Sequence, residues 1–328
     1  MKKFMMSLVL VALTTAQLAS ADTFTDRKAL LEKAKASGVK PIEIGFNPGN
    51  NTINGKKDEL FFWTNKHWPL ANSLIAQTGD SLSFIPENDL KILLNLVRAQ
   101  KYKWLYVQPN IAVIAQEHGY TPVAYLNKET ESVFVVPTEG GVAKTADLKG
   151  KKIASLANTN DLRLAKYYLH TENWDAKFTE IGASGYGEVE SQLVLKKVDA
   201  IAVNRDVATD IIKRNNNAFK ILATSGGVPR AVVLAHVSVE NDEFSRIGGA
   251  FLKVPKTAMA PAGLTFGESE APFLAFTKDH LRYMRAALGY TESDYGRSIY
   301  DPKVDKYIES PAAFTDGIVK PVLKTPNP

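Results

Sequence analysis

Hydrophobic residues recur in two rhythms along this chain, short apolar or alternating runs that suit β-strands and longer stretches with an apolar stripe every three or four residues that suit helices. A strand is predicted at Pro41–Phe46, followed by the turn-rich loop NPGNNTINGKKD and a helix opening near Pro69 and closing at Gly79. Strands at Ser81–Ile85, Trp104–Val107, Pro122–Leu126 and Ser132–Val136 then enclose helices over Asn88–Ala99 and Pro109–Glu117. Trp104 and Tyr106, with Tyr102 ahead of them, stand at alternate positions and are expected to share one packed face.

The second half repeats the rhythm. IASLA reads as a strand, Asp161–Leu169 as a helix, Phe178–Ile181 as a strand, and a helix near Glu188–Lys197 leads to a strand at Val198–Val203. A helix over Asp206–Arg214, a strand at Phe219–Ala223 and an apolar strand after GGVPR come next, with helices expected at Asp242–Phe251 and Pro272–Leu288. Strands separated by helices of this length imply βαβ crossovers and largely parallel sheets covered on both faces. The order and length suggest two lobes crossed twice. Residues 22–136 and 229–328 would form the first lobe and 137–228 the second, with the first crossing at 137–143. A light surface helix at 23–38 and a wrapping tail after Tyr290 complete the expectation.

The N-terminus changes the picture of where this chain works. Lys2 and Lys3 precede an apolar run from Phe4 to Leu13 and the small-residue ending Ala19-Ser20-Ala21, the pattern of a cleaved secretion signal at 1–21. Removal of its two lysines takes the formal net charge from +5 to +3 and leaves 328 − 21 = 307 residues. Dispersed, mild charge argues against a nucleic-acid partner. The chain holds 0 cysteines, so it has neither a disulfide framework nor the thiol on which a lipoprotein is anchored, and free periplasm is the expected address.

Candidate chemistry points to holding rather than turning over. His67, His118, His170, His236 and His280 are scattered without metal-binding spacing, and GASGYG misses the nucleophile-elbow pattern by one position. No cofactor is expected. Open α/β sheets bind ligands beyond the carboxyl ends of their strands, and those ends are polar here. They supply Asn47, Gly49 and Asn50; Gln108 and Asn110; Asn158, Thr159 and Asn160; Tyr186; and Asn204 with Arg205. Phe61, Phe62, Trp63 and Trp68 read as core, with one ring free to roof a cleft.

The succession DLKGKKIASLANTN, a KYYL helix, a G-x-x-G-Y loop and LVLKKVDAIAVN resembles the phosphonate-type substrate-binding proteins of ABC importers. These belong to the type II periplasmic binding proteins, a group that includes sulfonate receptors. The resemblance implies a Venus-flytrap fold of two α/β lobes, each a mixed, mostly parallel sheet flanked by helices. It also implies a monomer that closes on a small molecule for an inner-membrane ABC permease. It would put Asn158 and Thr159 on the ligand, Tyr186 where phosphonate readers often carry histidine, and Asn204 at an acidic or amide contact. Asn-Thr-Asn-Asp stands here in place of those readers' Ser/Thr-rich loop. Asp161 therefore occupies the positive end of the helix, where a dianion would otherwise sit. The ligand is expected to be small and polar, a phosphonate-like oxyanion or organic acid. A periplasmic sensor docked on a kinase and an exported enzyme using the same cleft are the alternatives.

Overall fold

A computed structural model describes residues 41–47, 58–87, 89–157, 159–172, 174, 176–182, 185–289, 300–301 and 306–307. The expected signal segment, the helix at 23–38 and most of the tail lie outside these residues. In chain order the first half holds β1 (Ile42–Asn47), α1 (Asp58–Thr78), β2 (Leu82–Pro86), α2 (Leu90–Arg98), β3 (Trp104–Val107), α3 (Pro109–Gln116), β4 (Tyr120–Leu126), β5 (Glu129–Thr130) and β6 (Ser132–Pro137). Then come β7 (Lys152–Leu156), α4 (Asn160–Thr171), β8 (Lys177–Ile181), α5 (Tyr186–Val194), β9 (Ala200–Asn204), α6 (Arg205–Arg214) and β10 (Phe219–Thr224). The chain continues through β11 (Val228–Pro229), β12 (Val232–His236), α7 (Asn241–Phe251), β13 (Phe273–Ala275) and α8 (Arg282–Ala287).

Two sheets organise these elements. The first has the order β13-β4-β12-β3-β1-β2, the second β10-β6-β9-β7-β8. β1 pairs in parallel with β2 and β3, and β7 with β8 and β9, as βαβ crossovers require. β12 runs antiparallel to both β3 and β4, β13 antiparallel to β4, and β6 antiparallel to both β9 and β10. Each sheet is thus mixed, with most of its strands running in one sense.

Side-chain alternation along the strands builds a core on each face. In β3, Trp104 and Tyr106 join Ile44, Leu74 and Phe251 on one side, while Leu105 and Val107 join Leu93, Val97 and Ile111 on the other. The second sheet repeats this arrangement. Val133, Ile201 and Val203 meet Val189 and Ile211, and Phe134, Ala200 and Ala202 meet Ala165 and Leu169. Tyr102 precedes the β3 pairing and packs with Leu105 rather than with Trp104 and Tyr106, so the expected three-ring face is a two-ring one.

Three expectations shift for physical reasons. α1 opens at Asp58, not near Pro69, and carries Pro69 inside it. A proline costs a free helix about 3 kcal/mol, but Leu70 and Leu74 directly after it are fully buried on the first sheet, and that packing carries the helix through. The stretch 272–288 is not one helix. Phe273–Ala275 adds an edge strand to β4 with Phe273 buried, and only 282–287 continue as α-helix. Finally, β6 already belongs to the second sheet, so the chain changes sheet over 127–131, ahead of the expected 137–143.

The chain passes back to the first sheet over 225–231. The two passages lie side by side: β5 pairs with β11, Ser132 N–H donates to Ser225 Oγ at 2.9 Å, and Arg230 N–H donates to Lys128 O at 2.7 Å. At Gly226 the missing side chain leaves room for the Tyr283 ring of α8. A Cβ at Gly226 would sit 2.8 Å from the Tyr283 ring, and one at Gly227 only 2.4 Å from Glu129 Oε2.

Candidate functional site

Between the two sheets, beside the paired passages, lies a cleft of about 180 Å³. Three parts of the chain line it. The first sheet supplies Gln108 from the turn after β3; the passages supply Glu129, Thr130, Glu131 and Arg230; the second sheet supplies Thr159–Asp161, Tyr186 and Asn204–Asp206.

The strand–loop–helix stretch after β7 forms one wall. Thr159 caps α4: its hydroxyl donates to Leu156 O at 2.8 Å and accepts from Leu162 N–H at 3.3 Å, so both of its capacities are used within the wall. Asn160 Oδ1 accepts from Asn110 N–H at 3.2 Å, tying the loop to the first turn of α3 across the cleft. Asp161 is 3% exposed and sits at the start of α4.

A directed chain of hydrogen bonds holds that carboxylate. Asn204 caps α6 with its Oδ1, accepting from Val207 N–H at 3.0 Å, and this fixes its amide so that Nδ2 donates to Tyr186 Oη at 3.2 Å. With that acceptor position filled, the Tyr186 hydroxyl donates to Asp161 Oδ2 at 2.5 Å. Gly185, at φ +92°, makes the turn that places Tyr186 in the first turn of α5. Burial pushes the Asp161 carboxyl up to about 6, while Tyr186, Asn204 and the nearby Arg230 each pull it back toward the ordinary range.

The guanidinium groups in the cleft are already engaged. Arg205 donates through Nε to Glu131 and through Nη2 to Thr224 Oγ1 at 3.0 Å, and Arg230 donates through Nη1 to Asp206 Oδ2 at 2.9 Å. Gln108 Nε2 donates to Asn47 Oδ1 at 2.8 Å, and Asn47 Nδ2 in turn donates to Glu87 O at 2.7 Å.

The residues expected from sequence therefore divide into three groups. Gln108, Thr159, Asn160, Tyr186, Asn204 and Arg205 line the cleft. Asn47 and Asn110 stand behind it: Asn47 holds Gln108, and Asn110 is fully buried with its N–H on Asn160. Gly49, Asn50 and Asn158 lie outside the described residues, as do the side chains of Phe61, Phe62 and Trp63; Trp68 is not among the cleft-lining residues. Sequence reasoning did not gather Glu129, Thr130, Glu131, Asp206 and Arg230 into the site. The available signal was position, since segments passing between two lobes necessarily border the space between them.

Residues 64–276 match the family described as ABC transporter, phosphonate, periplasmic substrate-binding protein. Among solved structures, XAC2383 from Xanthomonas citri bound to ATP superposes with a TM-score of 0.59 at 13% identity, over 75% of this chain and 96% of that one. PhnD1 from Prochlorococcus marinus in complex with methylphosphonate gives 0.57 at 14% identity, over 76% and 97%. A binding protein component of an ABC phosphonate transporter from Pseudomonas aeruginosa gives 0.56 at 14% identity, over 76% and 85%. At such identities these likenesses speak for the fold, the two-lobed type II periplasmic binding protein architecture. No curated protein matches the sequence. With its two mixed sheets, its paired passages and a family match spanning most of the described residues, the chain belongs to the phosphonate periplasmic substrate-binding proteins of ABC transporters.

Proposed function

We propose that this protein is a periplasmic solute receptor. Exported through a signal segment cleaved after Ala21, it captures one small polar molecule between its lobes as a monomer and delivers it to an ABC permease. The observation that carries this reading is the convergence of polar groups from both sheets and both passages on one cleft of about 180 Å³. A volume of that order suits a compact solute rather than a drug-sized one, whose pockets run to about 300–1,000 Å³.

The sheet memberships support a division into 41–126 with 232–289 as one lobe and 132–224 as the other, joined by 127–131 and 225–231. Two narrow passages suit hinge closure, because few backbone dihedrals need to change while each sheet moves as a unit. Gln108 from one lobe and Asn160, Tyr186 and Arg205 from the other are the residues proposed to meet the ligand, with Thr159 and Asn204 shaping the wall.

Small-angle scattering and thermal unfolding with a panel of phosphonates, sulfonates, amino acids and oxyanions test this. A bound solute is expected to shrink the radius of gyration and raise the melting temperature. Ligand at 100 times its Kd contributes about 2.7 kcal/mol. A panel that changes neither quantity contradicts the receptor role.

A further inference from the structure

The charges around the cleft do not suit the ligand that the family description names first. Six ionisable side chains other than Tyr186 line it: the carboxylates of Glu129, Glu131, Asp161 and Asp206, and the guanidiniums of Arg205 and Arg230. Both guanidiniums are paired in solvent-exposed contacts, Arg205 with Glu131 and Arg230 with Asp206. Two carboxylates remain in excess. Glu129 makes no ion pair among the described residues, and Asp161 is met by neutral donors. Asp161 itself stands in the first turn of α4, so the positive end of the helix dipole, which would favour an anion, already has a carboxylate beside it.

A phosphonate or phosphate dianion entering this space could draw the arginines from their acids at little cost, since both pairs are solvent-exposed, but it would still lie against the two carboxylates in excess. A metal ion does not resolve the imbalance, because no group of three or more His, Cys, Asp or Glu among the described residues is arranged to hold one. An ammonium group does resolve it, since its N–H donors and single positive charge satisfy carboxylate oxygens directly.

The geometry points to a ligand that is a small organic cation or zwitterion, whose protonated nitrogen is held by Asp161 and Glu129. A simple oxyanion, which brings no positive charge, leaves that carboxylate excess uncompensated. This inference rests on the receptor reading above and specifies its substrate class. Asp161 is then the residue that reverses the polarity of the helix-start site. The chain Asn204–Tyr186–Asp161 is its support, holding the acid ionised and aimed without supplying a counter-charge.

A small-molecule extract of the source cells, acidified and split on a cation-exchange resin into retained and flow-through fractions, provides the test. Thermal unfolding of the full chain is followed with each fraction, and with inorganic phosphate and methylphosphonate separately. The retained fraction alone is expected to raise the melting temperature. Glu129→Gln, a change at an exposed position, is expected to weaken the apparent affinity for that fraction about tenfold or more, and Asp161→Asn to weaken it further. Stabilisation by the flow-through, by phosphate or by methylphosphonate overturns the inference while leaving the receptor role standing. The same holds for a response to the retained fraction that Glu129→Gln leaves intact. If neither fraction stabilises the protein, the receptor role falls and the inference with it.

Discussion

Asp161 is the residue through which sequence, site and stability connect. Its carboxyl is buried, and desolvation raises it from an unfolded value near 3.8 to about 6 in the folded protein. The folded state therefore binds the proton more tightly than the unfolded one, so between those two values stability declines as pH rises. Above about pH 6 the penalty is fully present, about 3 kcal/mol for a shift of this size; below about pH 4 it is absent. Asp161→Asn lacks the titration. Its stability relative to the parent is expected to rise across that window by up to about 3 kcal/mol and then level off, read by chemical denaturation at a series of pH values. A difference independent of pH would show that Asp161 does not titrate as a buried acid.

Asp161 also shows what a sequence can and cannot disclose about a site. Its place at a helix start followed from the order strand, Asn-Thr-Asn, helix. Its bond to Tyr186 spans 25 positions, and its tertiary burial leaves no local trace. Thr159 illustrates the converse. The same local reading that makes it a ligand candidate makes it a helix cap, and its hydroxyl is in fact used by Leu156 and Leu162.

At the scale of elements, α4 has the most to do. Its face carrying Ala165 and Leu169 packs on the second sheet, whereas Leu164 is fully buried in the cluster of the first. Tyr167 sets its ring edge-on to Tyr283 at 5.1 Å, beside α8. One helix is thus held by both lobes. Leu164→Ala is expected to cost about 2–5 kcal/mol in unfolding free energy, and, because the lost contact is between lobes, to enlarge the radius of gyration of the ligand-free protein. Loss of stability with unchanged dimensions would assign Leu164 to local packing alone.

Elements whose apolar pattern matched one period were legible in sequence. β3, α3 and α6 lie within a residue or so of their expected bounds because alternation, Pro109 and the cap at Asn204 mark them. Those decided by tertiary packing were not. Pro69 signalled a helix start, yet Leu70 and Leu74 are buried within a longer helix. Phe273–Ala275 looked like part of a helical stripe until β4 offered it an edge. Ser132–Pro137 reads as a strand in either sheet, and only its partners β9 and β10 say which.

The whole molecule follows from two sheets that share two short passages. The acids and bases of those passages, Glu129, Glu131 and Arg230, line one cleft with the strand ends of the second sheet, so in the proposed receptor hinge and ligand wall share residues. The proposal thus couples closure to recognition: a ligand that satisfied these groups would also bridge the two lobes. Native mass spectrometry of the full chain, incubated with a small-molecule extract of its source cells, tests that claim most directly. The account predicts a single added mass, one small molecule per chain, that is lost when Gln108 and Tyr186 are replaced together by Ala and Phe. A wild-type chain that carries only its own mass under the same gentle conditions would contradict it.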